Sequence, residues 1–439
     1  MFGYYFDLAL RSLRHNVALS ALMIGAIGIG IGASMTMLTV LRAASGDPIP
    51  QKSSQLFVPQ IDNFGPQSKI PPQSDDLLFP FVTYRDAIEL MRAHAAVRQA
   101  AMYPIRISIT PADPARNAIR IDARATYGDF FPMFDVPFKF GRGWTRAEDA
   151  SHALVVVLTR ASNDLLFGGA NSVGRDLTVD GKTYRVTGVL DEWHPIPRFY
   201  DVGGATFSGQ DALFLPFTRA IDEQMPTVAG LTCERSGPGK GWDGLLHSNC
   251  VWIRFWVELP TARDAGTYRT FLYNYAAEQQ QRGRFHWPPR VALRSVTQWL
   301  SYNHVVPPAV AALTGVSFAL LLICVVNAVG LMLAKFMAST GMISVRRALG
   351  ASRRAIFAQF MIEAGVIGLT GGLLGLGLIQ LGLASCRALL EKDFSVLTRL
   401  HVSDVLIALA VAVAATLLAG LYPTWRATQV QPAAQLKAQ

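Results

Sequence analysis

The amino-acid sequence predicts a membrane α-helical protein with four transmembrane helices in a 1+3 arrangement. A large α+β extracytoplasmic domain is inserted between helices one and two. Three observations carry this reading. Of 439 residues, 51% are hydrophobic and only 16% charged, too apolar a balance for an ordinary soluble chain. Four stretches are long enough to cross a hydrocarbon core, which takes about 20 helical residues. Between the first two lie 265 residues, 42–306, of ordinary soluble composition.

The elements follow in order. Residues 1–16 read as an amphipathic helix on a membrane surface, with Phe2, Tyr5, Phe6, Ala9, Leu10 and Leu13 on one side and Asp7, Arg11 and Arg14 on the other. The first span, 17–41, is 25 residues without a charge. A signal peptide cleaved near Ala43-Ala44-Ser45 is the competing reading, but the run exceeds an ordinary apolar signal core, so a retained helix is expected. The second span is 307–334, the third 355–386 with the single charge Glu363, and the fourth 405–425. Segments 335–354, 387–404 and 426–439 connect or follow them.

Charge sets the orientation. Arg11, Arg14, Lys335, Arg346, Arg347, Arg353, Arg354, Arg426 and Lys437 face a single acid, Asp7, in 1–16, 335–354 and the tail. They supply +8 of the net charge of +9, while 42–306 is near balance. The positive-inside rule then places both termini in the cytoplasm and the large domain on the outer side of the membrane. A basic excess confined to the membrane edge removes the case for nucleic-acid binding. Four cysteines exclude a disulfide-stapled scaffold. Cys233 and Cys250 both fall in the outer domain, where a bridge between them is possible, and Cys324 and Cys386 lie in spans.

Small-xxx-small pairs at Gly28/Gly32, Gly368/Gly372 and Gly371/Gly375 point to close helix packing, within the chain or with a second subunit. Asn327 is expected to bond a neighbouring helix, and Glu363 to pair with Arg or Lys from the 346–354 loop. No polar track of the kind a secondary transporter needs runs through the spans.

In the outer domain, 105–110, 118–123, 154–158 and 252–259 have strand character. Stretches 82–96, 161–167 and 264–282 read as helices, and 176–190 as a hairpin turning at Asp180-Gly181. Stretches 59–80, 201–210 and 235–248 read as long loops. Asp191, Glu192 and His194 are the densest polar cluster, but their spacing fits no metal-ligand set, so neither a catalytic nor a metal site is assigned.

Four stretches then occur in order: Phe140-Gly141-Arg142-Gly143-Trp144-Thr145-Arg146-Ala147-Glu148-Asp149; Phe167-Gly168-Gly169 with Val173-Gly174-Arg175 and 177–189; Val345-Arg346-Arg347-Ala348-Leu349-Gly350-Ala351-Ser352-Arg353-Arg354; and Gly420-Leu421-Tyr422-Pro423-Thr424-Trp425-Arg426-Ala427. With the 1+3 layout, they resemble the MacB/FtsX-type permeases of ABC transporters over nearly the whole chain.

The resemblance implies a permease that works by mechanotransmission, exporting a drug, peptide or lipid-linked molecule from the periplasm or outer leaflet. It implies an ABC ATPase subunit that binds ATP and Mg, a second permease copy or paralogue, and contact with membrane lipids. A periplasmic adaptor and an outer-membrane channel are further partners it allows. Coupling to the ATPase would fall on Met342, Val345, Arg346, Arg347, Ala348, Leu349, Gly350, Ala351, Arg353 and Arg354. The chain has no G-x-x-x-x-G-K-[S/T], so it is expected to bind no cofactor itself.

Two departures are visible. Relatives carry an acid before the Arg-Arg pair where Met342-Ile343-Ser344-Val345 stands here, and Pro307-Pro308 breaks a helix expected to run into the second span. A signalling or sensory membrane protein and a membrane-anchored periplasmic enzyme are the alternatives.

Overall fold

A computed structural model describes residues 8, 11–13, 16–63, 78–111, 117–202, 206–207, 211–233, 237–306, 308–338, 340–389 and 402–428. The chain divides into two compact units, Met1–Ser45 with Val306–Gln439, and Gly46–Val305. The first contributes helix α1 (Val17–Ser45), to which its later helices are added below.

The second unit holds an 11-stranded sheet among the described residues. Its strands are β1 (Leu56–Ile61), β2 (Val82–Thr83), β3 (Arg98–Thr110), β4 (Ile119–Thr126), β5 (Phe138–Gly141) and β6 (Val155–Leu158). They continue with β7 (Asp176–Val179), β8 (Lys182–Leu190), β9 (Leu213–Pro216), β10 (Val251–Glu258) and β11 (Val291–Ser295). The main path runs β11-β1-β10-β3-β4-β9-β6-β8-β5. Pairing is antiparallel except at β4–β9 and β6–β8.

Helices cover both faces: α2 (Tyr84–Ala93), α3 (Phe130–Met133), α4 (Arg146–Ala150), α5 (Arg160–Phe167), α6 (Phe217–Asp222), α7 (Gly241–His247), α8 (Ala262–Gln281) and α9 (Val296–Tyr302). Central strands are therefore buried on both sides. In β10, Phe255 and Val257 join one core while Trp256 joins the other, with Phe134, Phe199 and Trp299.

Local sequence explains the boundaries. Thr83 caps α2 by accepting from the Asp86 N–H, and Thr261 with Asp264 forms a capping box on α8. Asp180 and Gly181 both adopt positive φ, 44° and 80°, the turn that closes the β7–β8 hairpin.

Three differences from the sequence reading stand out. Pro59–Ile61, read as loop, ends strand β1, which pairs β10 only through Leu56 and Phe57, so at Pro59 the strand has β11 alone beside it. A proline is tolerated at such an edge; residues 64–77 of that stretch lie outside the described residues. Helix α7 occupies part of the loop read at 235–248. The short strands β5, β9 and β11 were too brief for an alternating pattern to show.

The membrane unit continues with α10 (Pro308–Ala338), α11 (Thr340–Ala348), α12 (Arg353–Leu389) and α13 (Val402–Thr428). Helices α1, α10, α12 and α13 are long and apolar enough to cross a bilayer. Helix α10 begins at Pro308, where a proline loses no helical hydrogen bond. In α1, Met23, Ile27, Ile31 and Met35 form a buried i,i+4 stripe, whereas Leu22 and Ile29 point outward.

Candidate functional site

The short helix α11 sits in the connection between spans α10 and α12. It ends because Gly350, at φ 96°, takes a left-handed conformation that a residue with a Cβ resists. The backbone N–H groups of Leu349, Gly350 and Ala351 fold back onto the carbonyls of Val345, Arg347 and Arg346. The Ser352 hydroxyl then accepts from the Ala355 N–H at 3.2 Å at the start of α12.

Helix α11 has two sides. Ile343 is buried in an apolar cluster with Met332, Phe336 and Phe360, and Arg346 Nη1 donates to Gln359 Oε1 at 2.6 Å, tying α11 to α12. Val345 and Leu349 are 60% and 82% exposed, and Arg353 and Arg354 are exposed beyond the glycine stop. Arg347 is half-buried and Ala351 packs beside the cluster. The side chains of Met342 and Ala348 lie outside those described.

The glycines read as packing residues meet other helices of the same chain. A Cβ on Gly28 or Gly32 would fall within 2.8 or 2.7 Å of Leu374 or Leu378 on α12. In return, a Cβ on Gly371 or Gly375 would meet Ile27 or Ile31 on α1 at 3.0 or 2.9 Å. Gly368 and Gly372, one turn round α12, face Thr416 and Ala412 on α13. Two stripes on one helix thus hold two neighbours at backbone distance. Gly368→Leu is expected to destabilise the bundle by about 1–3 kcal/mol through overpacking. Gly377→Leu, at an unobstructed position, should not. Unfolding of each variant in mild detergent, titrated with SDS, checks the pair.

Two polar residues behave differently from the sequence reading. Asn327 is exposed on α10, and no hydrogen bond joins it to another helix among the described residues of this chain. Helix α10 is apolar all round, and periodicity gave no means of choosing its outward face. Glu363 pairs with Lys335 of α10 at 2.5 Å, not with the 346–354 loop. The register of α10 against α12 brings these two residues level.

In the outer unit, Asp191 and Glu192 reach Arg160 at 3.3 and 3.2 Å on the surface, and His194 is exposed. No group of three His, Cys, Asp or Glu side chains is placed to hold a metal ion among the described residues. Cys233 and Cys250 form a disulfide.

A buried charge cluster escaped the sequence reading. Arg124 on β4 holds Asp211 at 2.6 Å and Asp201 at 2.5 Å; Arg254 on β10 holds Asp201 at 2.7 Å, and Arg198 reaches it at 3.2 Å. The Tyr200 hydroxyl donates to Asp211, and the Arg124 guanidinium lies 4.9 Å from the Tyr200 ring centre. The only local signal was an arginine flanked by small apolar residues, Ala123-Arg124-Ala125.

Residues 20–254 match the MacB-like periplasmic core domain, and residues 314–432 match the FtsX-like permease C-terminal domain. The chain belongs to the MacB/FtsX-type permease family. A macrolide export ATP-binding/permease protein MacB of Azoarcus sp. (strain BH72) is 25% identical over 98% of the permease, which spans 58% of that protein's length. The Bacillus subtilis (strain 168) ABC transporter permease YvrN is 22% identical, with 96% of both chains covered. The crystallised periplasmic region of MacB from Actinobacillus actinomycetemcomitans aligns over 56% of the permease and 92% of that chain, at 11% identity and a TM-score of 0.35.

Within the permease, the stretch Phe140–Asp149 builds a folded corner. A Cβ on Gly143 would sit 2.4 Å from the Phe131 ring, and Thr145 with Glu148 forms the capping box of α4. The buried Asp149 carboxylate accepts from Trp144 Nε1 and from the Gly128 N–H, both at 2.8 Å.

Burial pushes the Asp149 carboxyl up to about 7; these two donors oppose the rise, and Asp129 and Glu148 add to it. A carboxyl raised in the fold costs nothing below its ordinary 3.8, and stability is lost as pH climbs from there towards about 7. Asp149→Asn is expected to flatten the unfolding midpoint over that interval. Superimposable profiles for the two proteins would sink the assignment.

Proposed function

We propose that this permease is the membrane subunit of an ABC transporter acting by mechanotransmission. A separate ATPase subunit docks on α11, and ATP-driven movement of α1 and α10 is passed to a periplasmic domain that expels substrate. The observation that carries this reading is α11 itself. It is a short helix set between two spans by a glycine stop, anchored inward through Ile343 and Arg346 and presenting Val345 and Leu349 outward. A connection serving topology alone needs basic residues, which it has, but not two large apolar side chains left uncovered by the rest of the bundle.

The orientation rests on charge. The basic residues of α11 and the following turn face the cytoplasm with both termini, where Arg353 and Arg354 also meet inner-leaflet phosphates. The likeness over 96% of both chains to YvrN, an ABC transporter permease, supports the permease part of this reading.

A second permease copy or paralogue completes the unit. Its support is Asn327, a side-chain amide near the middle of α10 that faces outward, where hydrocarbon offers no hydrogen bond. The substrate is taken from the periplasm or the outer leaflet.

The test is purification from native membranes in mild detergent, with co-purifying chains identified by mass. A stoichiometric ATPase bearing a G-x-x-x-x-G-K-[S/T] segment is the expected result. Absence of any ATPase, with and without ATP and Mg, would overturn the reading in favour of a sensory role.

A further inference from the structure

We propose that the Lys335–Glu363 pair is a latch that holds the segment around Ser12 against the helix bundle, so that this segment and α11 move as one body. Lys335 near the end of α10 and Glu363 early in α12 flank α11 in sequence. Lys335 Nζ donates to Glu363 Oε1 at 2.5 Å and to Ser20 Oγ, at the start of α1, at 3.3 Å. The Ser12 hydroxyl donates to the same Glu363 oxygen at 2.9 Å. Two side chains thus gather four segments: the N-terminal segment, α1, α10 and α12.

The fifth, α11, joins through packing. Ile343 shares an apolar cluster with Met23 of α1, Met332 and Phe336 of α10 and Phe360 of α12, and Leu13 packs against that cluster. The Phe336 and Phe360 rings lie 4.1 Å apart between the two charged residues in sequence. Lys335 and Glu363 are 2% and 0% exposed, so water does not compete for their bonds.

Stability alone is a poor reason for such a pair, because well-packed apolar residues of similar volume commonly replace a buried ion pair without loss. What apolar residues cannot do is hold the two serine hydroxyls. This separates a latch from mere packing.

Hydrogen exchange of the full chain in lipid nanodiscs tests it, comparing the wild type with Ser12→Ala and with the double variant Lys335→Met/Glu363→Leu. The latch predicts exchange in the peptide spanning residues 11–20 about ten-fold or more faster in both variants, with the middle of α12 unchanged. A purely structural pair predicts wild-type protection of that peptide in both, and that result overturns the proposal. Should the double variant fail to fold, Ser12→Ala decides in the same way.

The consequence for coupling rests on the function proposed above and is read separately. With the ATPase, ATP and Mg present, exchange in residues 11–20 should respond to nucleotide in the wild type and not in Ser12→Ala. An ATPase that never binds removes the functional reading and leaves the latch standing on the exchange data.

Discussion

Asp201→Asn is expected to destabilise the outer unit by about 3–5 kcal/mol, a large share of the roughly 5–15 kcal/mol that holds an ordinary domain together. The carboxylate is buried and shared by Arg124, Arg254 and Arg198, which come from β4, β10 and the segment before β9. Removing its charge leaves Arg254 without its carboxylate partner, and Arg124 and Arg198 with Asp211 alone. Each has been stripped of water, and an uncompensated charge in such a place costs far more than the pair contributes. Denaturant unfolding of the full chain in nanodiscs, followed by tryptophan fluorescence, measures the change. The ion pair Arg106–Asp122 on the neighbouring β3–β4 ladder is a control, since both partners are half exposed and Asp122→Asn there should change nothing measurable. Equal midpoints for Asp201→Asn and Asp122→Asn would contradict the account.

The same cluster fixes a pH dependence of opposite sign to that of Asp149. Burial alone would raise the Asp201 carboxyl, but Arg124, Arg254 and Arg198 outweigh it and hold it far below the usual carboxylate range. A depressed carboxyl contributes stability that is full above its ordinary 3.8 and is lost as pH falls below that value. Asp201→Asn should therefore remove much of the acid-induced loss, while Asp149→Asn acts only on the rise towards neutrality.

What could be read from the sequence was whatever is local. Uncharged runs such as 17–41 announce a span without reference to the rest of the chain, and Asp180-Gly181 announces its turn in two residues. The family followed from ordered motifs for the same reason. The Arg124 cluster stayed hidden because its members, Arg124, Asp201, Asp211 and Arg254, come from four places in the sequence and meet only after β4 and β10 flank β3. Glu363 was given the wrong partner because nearness in sequence favoured the arginine loop, whereas helix register favoured Lys335. Gly28, Gly32, Gly371 and Gly375 announced close packing but not the partner; their neighbours are α1 and α12 of one chain.

The second large effect concerns α11, where two kinds of substitution should fail in different ways. Val345→Asp with Leu349→Asp alters the outward face, so it is expected to weaken binding of the ATPase about ten-fold or more while leaving the bundle intact. Arg346→Ala with Arg347→Ala acts on the inward side, because Arg346 ties α11 to Gln359 of α12. In that variant the ATPase should still dock on Val345 and Leu349, but α11 loses its hydrogen-bonded tie to α12 and is held to the spans through the packing of Ile343. ATP hydrolysis should then persist while substrate release falls. Binding measured by co-purification and hydrolysis measured alongside release separate the two outcomes. If both variants lose binding equally, α11 is a single contact surface without a transmitting side. If release stays tied to hydrolysis in Arg346→Ala/Arg347→Ala, force reaches the spans by another route, and Ile343 in its apolar cluster is the remaining attachment of α11 to them.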